Sequence, residues 1–301
     1  MINLKKKIIV RIAEGIGNQL FMYANAYSLS KKYDYELEID DTSGYFKKKN
    51  KIRSYELHNF QIENKLTNHY FKFDSYKKDL KRKMLKKFDF FKKYKKFIIE
   101  KKDSNKNTFF SEISLDSSPN IIFIEGHYEC ENYFKDYKND IRKIFKVKPS
   151  KIEINNTYIN DIRSSNSISI CIRQNRFSEG KFKNNFKSRQ FTNDTIDYIY
   201  KSIEYIKKYV EKPKFFIWSN DLTGLDNYFD KDKYVFIDNK RNKALTDFYL
   251  FNYCKHFIVG PSSFHWWGAW LNENPDKICI RPSKINPSKN KNFWPNKWIS
   301  I

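Results

Sequence analysis

The sequence predicts an α/β protein with parallel sheets, organised as two successive units. Three observations carry the prediction. Residues 7–39 read strand, glycine-bearing turn, helix, strand, a βαβ unit whose strands must lie parallel. From residue 168 onward short apolar runs again alternate with segments of helical spacing. Between the two series, the polar stretch 148–166 is the best boundary candidate.

Taken in order, residues 7–13 form a short buried strand around Ile8-Ile9-Val10. Gly15-Ile16-Gly17-Asn18 is a turn, and residues 19–32 set Leu20, Tyr23, Ala24 and Tyr27 at helical spacing. Residues 36–39 make the second strand, which ends at Asp40-Asp41. Residues 121–125 are a further buried strand, followed by Gly126-His127-Tyr128, and residues 133–145 look helical. In the second unit the alternating segments are 168–172, 194–210, 214–218, 234–237, 245–254, 257–259 and 277–280. The run Phe257-Ile258-Val259 closes at Gly260, which puts Ser262 and Ser263 just past a strand and at the mouth of a helix carrying Trp266, Trp267 and Trp270. Such a place suits a phosphate held by helix N-terminal N–H groups and hydroxyls; it equally suits a serine N-cap on a tryptophan-rich core helix.

The segment 72–102 differs in character, with fourteen Lys or Arg against four acids. Leu80, Met84, Phe88, Phe91, Tyr94 and Ile98 recur at spacings of three and four, the pattern of one or two basic amphipathic helices. Two readings stand: a solvated helix packed on its domain by the aromatic stripe, or a docking surface for anionic lipid headgroups.

Composition bounds the function classes. The chain of 301 residues is 40% hydrophobic and 18% aromatic, enough for substantial cores. Its net charge of +23 suggests nucleic acid, yet the excess is nearly all lysine and no recognised nucleic-acid motif accompanies it. An anionic bilayer or a phosphorylated sugar donor would answer the same charge. Four dispersed cysteines without a Cys-x-x-Cys pair suit a reducing cytoplasm, and no apolar run has signal-peptide or membrane-spanning length.

Several clusters could carry chemistry. The Gly15-to-Gln19 turn is neither a dinucleotide fingerprint nor a P-loop, but its glycines allow close backbone approach, and Asn18 and Gln19 offer amides to a polar ligand. Arg173 and Arg176, three apart just past a strand, suit an anion at the sheet's carboxyl edge; a surface arginine pair is the plain alternative. Asp221, after Ser219-Asn220, ends a strand. Asp247 follows Thr246 at the start of a helix, where it either caps or accepts two N–H groups from a guanine. The five histidines are dispersed, and the one Asp-x-Asp, Asp230-Lys231-Asp232, fits a surface turn better than a metal site. A serine hydrolase would need a Gly-x-Ser-x-Gly elbow that is not present.

Together these segments resemble glycosyltransferase family 11, the α-1,2-fucosyltransferases. The family's Gly-Gly-Leu-Gly-Asn-Gln-Met-Phe-x-Tyr-Ala is similar to Glu14-Gly15-Ile16-Gly17-Asn18-Gln19-Leu20-Phe21-Met22-Tyr23-Ala24, and its Ser-Asp-Asp to Ser219-Asn220-Asp221. The C-terminal signature resembles residues 247–270, continuing through Asn272, Asn274-Pro275 and Asp276-Lys277. One motif departs: the family's His-x-Arg-Arg-Gly-Asp-Tyr stands here as Cys171-Ile172-Arg173-Gln174-Asn175-Arg176-Phe177, with only the first arginine in register.

The resemblance implies a GT-B architecture: two Rossmann-like lobes facing a cleft, an acceptor-side domain over 1–155 with the basic helical insertion, and a nucleotide-sugar domain over 156–301 whose tail can return to the first. It implies an inverting transfer of fucose from GDP-L-fucose to O2 of a galactose, with no cofactor and no metal. Arg173 would neutralise the leaving diphosphate, Arg176 would replace the lost neighbour, and Glu14 is a candidate base. The donor would be held by Gly15, Gly17, Asn18, Gln19, Gln174, Asn175, Ser219, Asp221, Asp247, Ser262, Ser263 and Phe264. The expected partners are a nucleotide-sugar donor, a glycan or lipid-linked oligosaccharide acceptor in bacterial surface-glycan synthesis, and an anionic membrane touched through the lysine-rich helix at the cytoplasmic face of the inner membrane. Nucleic acid is not expected. The altered 171–177 motif keeps open a different nucleotide-sugar donor on the same fold.

Overall fold

A computed structural model describes residues 5–47, 53–88, 94–152, 157–178, 184–239 and 243–301. The chain divides into two compact units, the first comprising 1–146 with 289–293, the second 147–288 with 294–301.

The first unit is built on strands β1 (Lys7–Arg11), β2 (Glu36–Asp40), β3 (Lys95–Ile99) and β4 (Ile121–Glu125), all parallel in the order β2-β1-β4-β3. β1 lies centrally, and its Ile8-Ile9-Val10 is buried throughout, the continuous apolar run expected of a strand covered on both faces. Helix α1 (Ile16–Tyr33) crosses from β1 to β2 and buries Leu20, Phe21 and Ala24 fully. It starts earlier than the sequence suggests. Gly15 is the N-cap, and its carbonyl accepts from both Asn18 and Gln19 N–H at 3.0 Å, so the expected turn over 15–18 is already the first helical turn. Asp34 ends the helix in the left-handed conformation and returns its N–H to Ser30.

The basic segment corrects the sequence reading. Among the described residues of the segment only Tyr76–Lys87 is helical (α2); Tyr94 precedes and Ile98 belongs to β3, where Phe97 stacks on Phe123 at 4.7 Å. Phe91 lies outside the described residues. Nor does α2 dock by its apolar stripe. It buries Leu85 and Asp79 and is held by Arg82 and Lys86, each 2.8 Å from Glu125, while Leu80, Met84 and Phe88 are 60%, 50% and 48% exposed. Ile98 lies in a strand because Phe97 beside it finds a buried aromatic partner, Phe123, on β4. Helix α3 (Lys138–Ile144) follows β4.

The second unit carries strands β5 (Asn166–Ile172), β6 (Pro213–Ser219), β7 (Tyr234–Phe236), β8 (His256–Ile258), β9 (Cys279–Arg281) and β10 (Ile299–Ser300), parallel in the order β10-β9-β8-β5-β6-β7. Helices α4 (Thr157–Ser164), α5 (Asn185–Ile206), α6 (Lys243–Phe251) and α7 (Ser263–Leu271) complete it. The chain winds outward from β5 through β6 to β7, then crosses back and winds the other way through β8, β9 and β10. The reversal falls between β5 and β8, and loops leaving two such strands diverge to form the crevice where open α/β sheets bind ligands. α7 is a core helix: Trp266 and Trp267 are fully buried, and Trp266 stacks on Trp270 and tilts against Trp298. Both units are Rossmann-like, as the resemblance implies.

Candidate functional site

The switch point between β5 and β8 gathers most of the sequence-predicted residues of the second unit. The two strands leave it in intimate contact: a Cβ added to Gly260 would sit 1.9 Å from the Cys171 carbonyl oxygen, so only glycine lets the β8 loop pass this close.

The loop after β5 carries the altered motif, and the structure accounts for its changes. Asn175 has φ 56°, the left-handed region where the family's glycine would sit, and asparagine is among the few other residues that tolerate it. Its amide reaches an Asp221 carboxylate oxygen at 3.3 Å. Gln174 binds the loop to the one after β6, its side-chain N–H groups reaching the Asp221 and Thr223 carbonyls at 2.7 and 3.0 Å and its backbone exchanging bonds with the Asn220 amide. Ser219 Oγ both accepts from Asp221 N–H and donates to the Asp221 carbonyl, a tight turn that aims the carboxylate toward Asn175. Hydrogen bonds from Thr223 and the nearby Lys243 ammonium hold the Asp221 carboxyl below its usual range.

The two arginines part company. The Arg176 guanidinium donates to the Pro261 carbonyl at 3.3 Å and the Pro287 carbonyl at 2.6 Å and lies over Phe191, so it clamps three loops together. Arg173 is half-buried and close enough to Cys171 to act on it electrostatically.

Asp247 lies deeper, and not where the sequence suggested. α6 is already helical at Lys243, so Asp247 sits in the second turn, buried at 6% exposure, and a capping role falls away. Thr246-Asp247 looks like a helix start because both are good N-caps, but Lys243-Ala244-Leu245 are stronger helix formers and carry the helix back. Burial lifts the Asp247 carboxyl to about 7, opposed by the Asn239 amide 2.6 Å from Oδ1 and by Lys243. Burial likewise pushes the Cys171 thiol up to about 12, with the Asp247 charge adding to the rise and Arg173 opposing it. These mutual influences bring Cys171, Arg173, Asp221, Lys243 and Asp247 into one electrostatic neighbourhood.

At the mouth of α7 both sequence readings hold at once. Ser262 is the N-cap, its Oγ accepting from His265 N–H at 3.2 Å, and the tryptophans behind it are core. Ser262, Ser263 and Phe264 are the half-exposed residues of this motif, on the helix end whose N–H groups favour anions. Phe264 rests on Phe248 and Phe251 at 5.6 Å, which joins this end to α6 and so to Asp247.

Sequence reasoning passed over His265. It is fully buried, with burial depressing its pKa to about 3, so the ring is neutral. Gly260 N–H donates to Nδ1 at 3.0 Å, which puts the ring proton on Nε2 and directs it to Ser169 Oγ at 2.7 Å. The histidine thus pins the β8–α7 loop to β5. Asn239, which orients Asp247, and Lys243 were missed too; both are isolated polar residues whose relevance only the fold reveals.

In the first unit Glu14 also has a left-handed backbone, φ 65°, where the family carries glycine. Its carbonyl accepts from Gln19 at 2.9 Å and from the Tyr45 hydroxyl at 3.2 Å. Gln19 is fully buried: its two N–H groups serve Glu14 and Ser54 carbonyls and its oxygen takes Glu56 N–H, so it shapes the turn rather than meeting a ligand. Gly17 is buried in the first turn of α1, while Gly15 and Asn18 are half-buried. A Cβ on Gly15 would meet the Arg53 guanidinium at 3.0 Å. Among the described residues no group of three or more His, Cys, Asp or Glu is placed to hold a metal ion.

The model of the family described as "Glycosyl transferase family 11" matches residues 7–301. An Escherichia coli alpha-1,2-colitosyltransferase is 27% identical over 310 residues, covering 98% of each chain. The O-antigen biosynthesis glycosyltransferase WbnK of Escherichia coli is 25% identical, covering 96% of this chain and 99% of its own. Among solved structures, Arabidopsis thaliana FUT1 in complex with GDP superposes with a TM-score of 0.57 at 12% identity, over 93% of this chain and 71% of that one.

Proposed function

The chain belongs to glycosyl transferase family 11 and is a glycosyltransferase, and from that premise we propose that it moves L-fucose from GDP-β-L-fucose to the 2-hydroxyl of a galactose in a bacterial surface glycan. The observation that carries this reading is the switch point of the second unit, where an anion-favouring helix end, Arg173 and a buried carboxylate share one neighbourhood. A nucleoside diphosphate needs all three.

Ser262, Ser263 and Phe264 bind the diphosphate at the α7 N-terminus, a contact of about 0.3–1 kcal/mol from the helix dipole alone and more with hydroxyl donors. Asp247, ionised on binding, accepts two N–H groups from the guanine edge, one at each oxygen, and the Asn239 amide on Oδ1 fixes the plane of the carboxylate. Asp221 and Asn175 line the sugar side. The acceptor oxygen attacks the anomeric carbon as its bond to the β-phosphate oxygen breaks; GDP leaves with the electron pair, the configuration inverts, and the acceptor proton passes to a base. Arg173 balances the charge gained by the diphosphate, the work a divalent cation does elsewhere. Arg176 holds the loops that present Arg173 and Ser262. Glu14 is the candidate base; strained left-handed backbone at a non-glycine residue is the kind of feature retained for function.

A second reading keeps the nucleotide and linkage and changes the sugar to colitose, favoured by the relative of that specificity. Colitose lacks a ring hydroxyl that fucose carries, so the two donors differ by one hydrogen-bonding group. The O-antigen relative supports a bacterial surface glycan as the product; a lipid-linked oligosaccharide at the cytoplasmic face of the inner membrane is the acceptor we propose. Among the described residues no helix is long and apolar enough to cross a membrane. Calorimetric titration of GDP into the protein and into Asp247→Asn tests the nucleotide assignment: tight binding weakened by the substitution supports it, and equal affinities refute it.

A further inference from the structure

We propose that the outward face of α2 is a docking surface for the anionic surface of a lipid bilayer. An amphipathic helix ordinarily turns its apolar side to the core. α2 turns only Leu85 that way. The rest of its inward side is held by ion pairs, where Arg82 bridges Asp79 at 2.7 Å and Glu125 at 2.8 Å and Lys86 meets the same Glu125 oxygen at 2.8 Å. Tyr76, Leu80 and Met84, one helical turn apart, point outward at 77%, 60% and 50% exposure, and Phe88 extends the row at 48%. Four exposed lysines, at 77, 81, 83 and 87, flank and interleave that stripe. The one acidic residue of α2, Asp79, is buried on the opposite side, so the outward face carries no negative charge.

The chemistry of this face selects its occupant. An apolar ridge bordered by lysines buries its side chains at the headgroup–acyl boundary while the ammonium groups meet lipid phosphates. A second copy of the chain would bring four lysines against four, and a nucleic-acid backbone would leave the apolar ridge unanswered. The inference is independent of the donor assignment, since it concerns a surface of the first unit and is read without any sugar nucleotide.

Flotation of the full chain with vesicles at physiological salt tests it. The protein should bind phosphatidylglycerol-containing vesicles and not pure phosphatidylcholine vesicles. Replacing the four lysines by glutamine should weaken partitioning by about fivefold per lysine removed. The double variant Leu80→Glu, Met84→Glu should weaken it at least tenfold with an unchanged unfolding midpoint, because both side chains lie outside the core. Three results overturn the proposal: no preference for anionic vesicles; full binding by the Leu80, Met84 double variant, which would leave only diffuse electrostatic adsorption; or retention on a duplex oligonucleotide in place of vesicles, lost on the same lysine substitutions.

Discussion

Replacing Asp247 by asparagine should stabilise the free protein while weakening its hold on GDP, two effects of opposite sign from one oxygen-to-amide change. Burial raises this carboxyl from 3.8 to about 7, so the ionised form is disfavoured in the folded chain by about 4 kcal/mol, at about 1.4 kcal/mol per pH unit of displacement. Between those two values the folded protein binds more protons than the unfolded chain, and stability therefore falls as pH rises through the window. Below pH 4 the carboxyl is protonated in both states and Asp247→Asn should change little; above pH 7 the variant should gain most of the 4 kcal/mol. Binding runs the other way. Guanine donates to the ionised carboxylate, and each bond to a charged acceptor contributes about 1.5–3 kcal/mol. Asparagine keeps one acceptor and turns a donor toward the second guanine N–H, so affinity should fall by about 3 kcal/mol, more than a hundredfold. The ionisation requirement also makes native affinity drop about tenfold per unit as pH falls below 7. GDP's own phosphate titrates in this range, so the variant serves as the reference and only the difference between the proteins reports the carboxyl. Urea unfolding across pH 4–8 and calorimetry at pH 6 and 8 supply the data. A variant less stable than the native protein at pH 8, or a GDP pH dependence identical in the two, would refute the reasoning.

Other expectations are simpler. Arg173→Ala should lower kcat by about 10²–10³, or about 3–4 kcal/mol in the barrier, with an unchanged unfolding midpoint; wild-type turnover would remove Arg173 from the chemistry. Glu14→Gly should raise stability by about 1 kcal/mol by relieving the left-handed backbone and should depress turnover as the candidate base is lost, while a stabilised variant of full activity would show that another group takes the proton. EDTA should leave transfer intact, and activity restored only by added Mg²⁺ or Mn²⁺ would contradict the role given to Arg173.

Much of this was legible in the residues. Buried parallel strands announce themselves as uninterrupted apolar runs, as Ile8-Ile9-Val10 and Phe257-Ile258-Val259 do, and Gly260 followed by Ser262 marked the switch-point loop. What failed were boundaries and orientations. Glycines at 15 and 17 hid a helix that begins at Ile16, and Thr246-Asp247 imitated a cap inside a helix. The periodicity of Leu80, Met84 and Phe88 was real, but periodicity reports that a stripe exists, not which way it faces. The inward partners of α2 are charges on another strand that no local pattern couples to it. The departures at Asn175 and Glu14 acquired meaning only with their φ angles. His265 and Asn239 act through neighbours 96 and 8 residues away, a relation that sequence spacing does not encode.

The most direct test of the central claim is a donor screen: purified protein, a simple β-galactoside acceptor, and a panel of GDP- and UDP-linked sugars read by mass spectrometry. The account predicts a product one deoxyhexose heavier from GDP-fucose, with the new bond at O2, and none from UDP sugars or with Arg173→Ala. Transfer from a UDP sugar alone, with GDP-fucose and GDP-colitose inert, would contradict it.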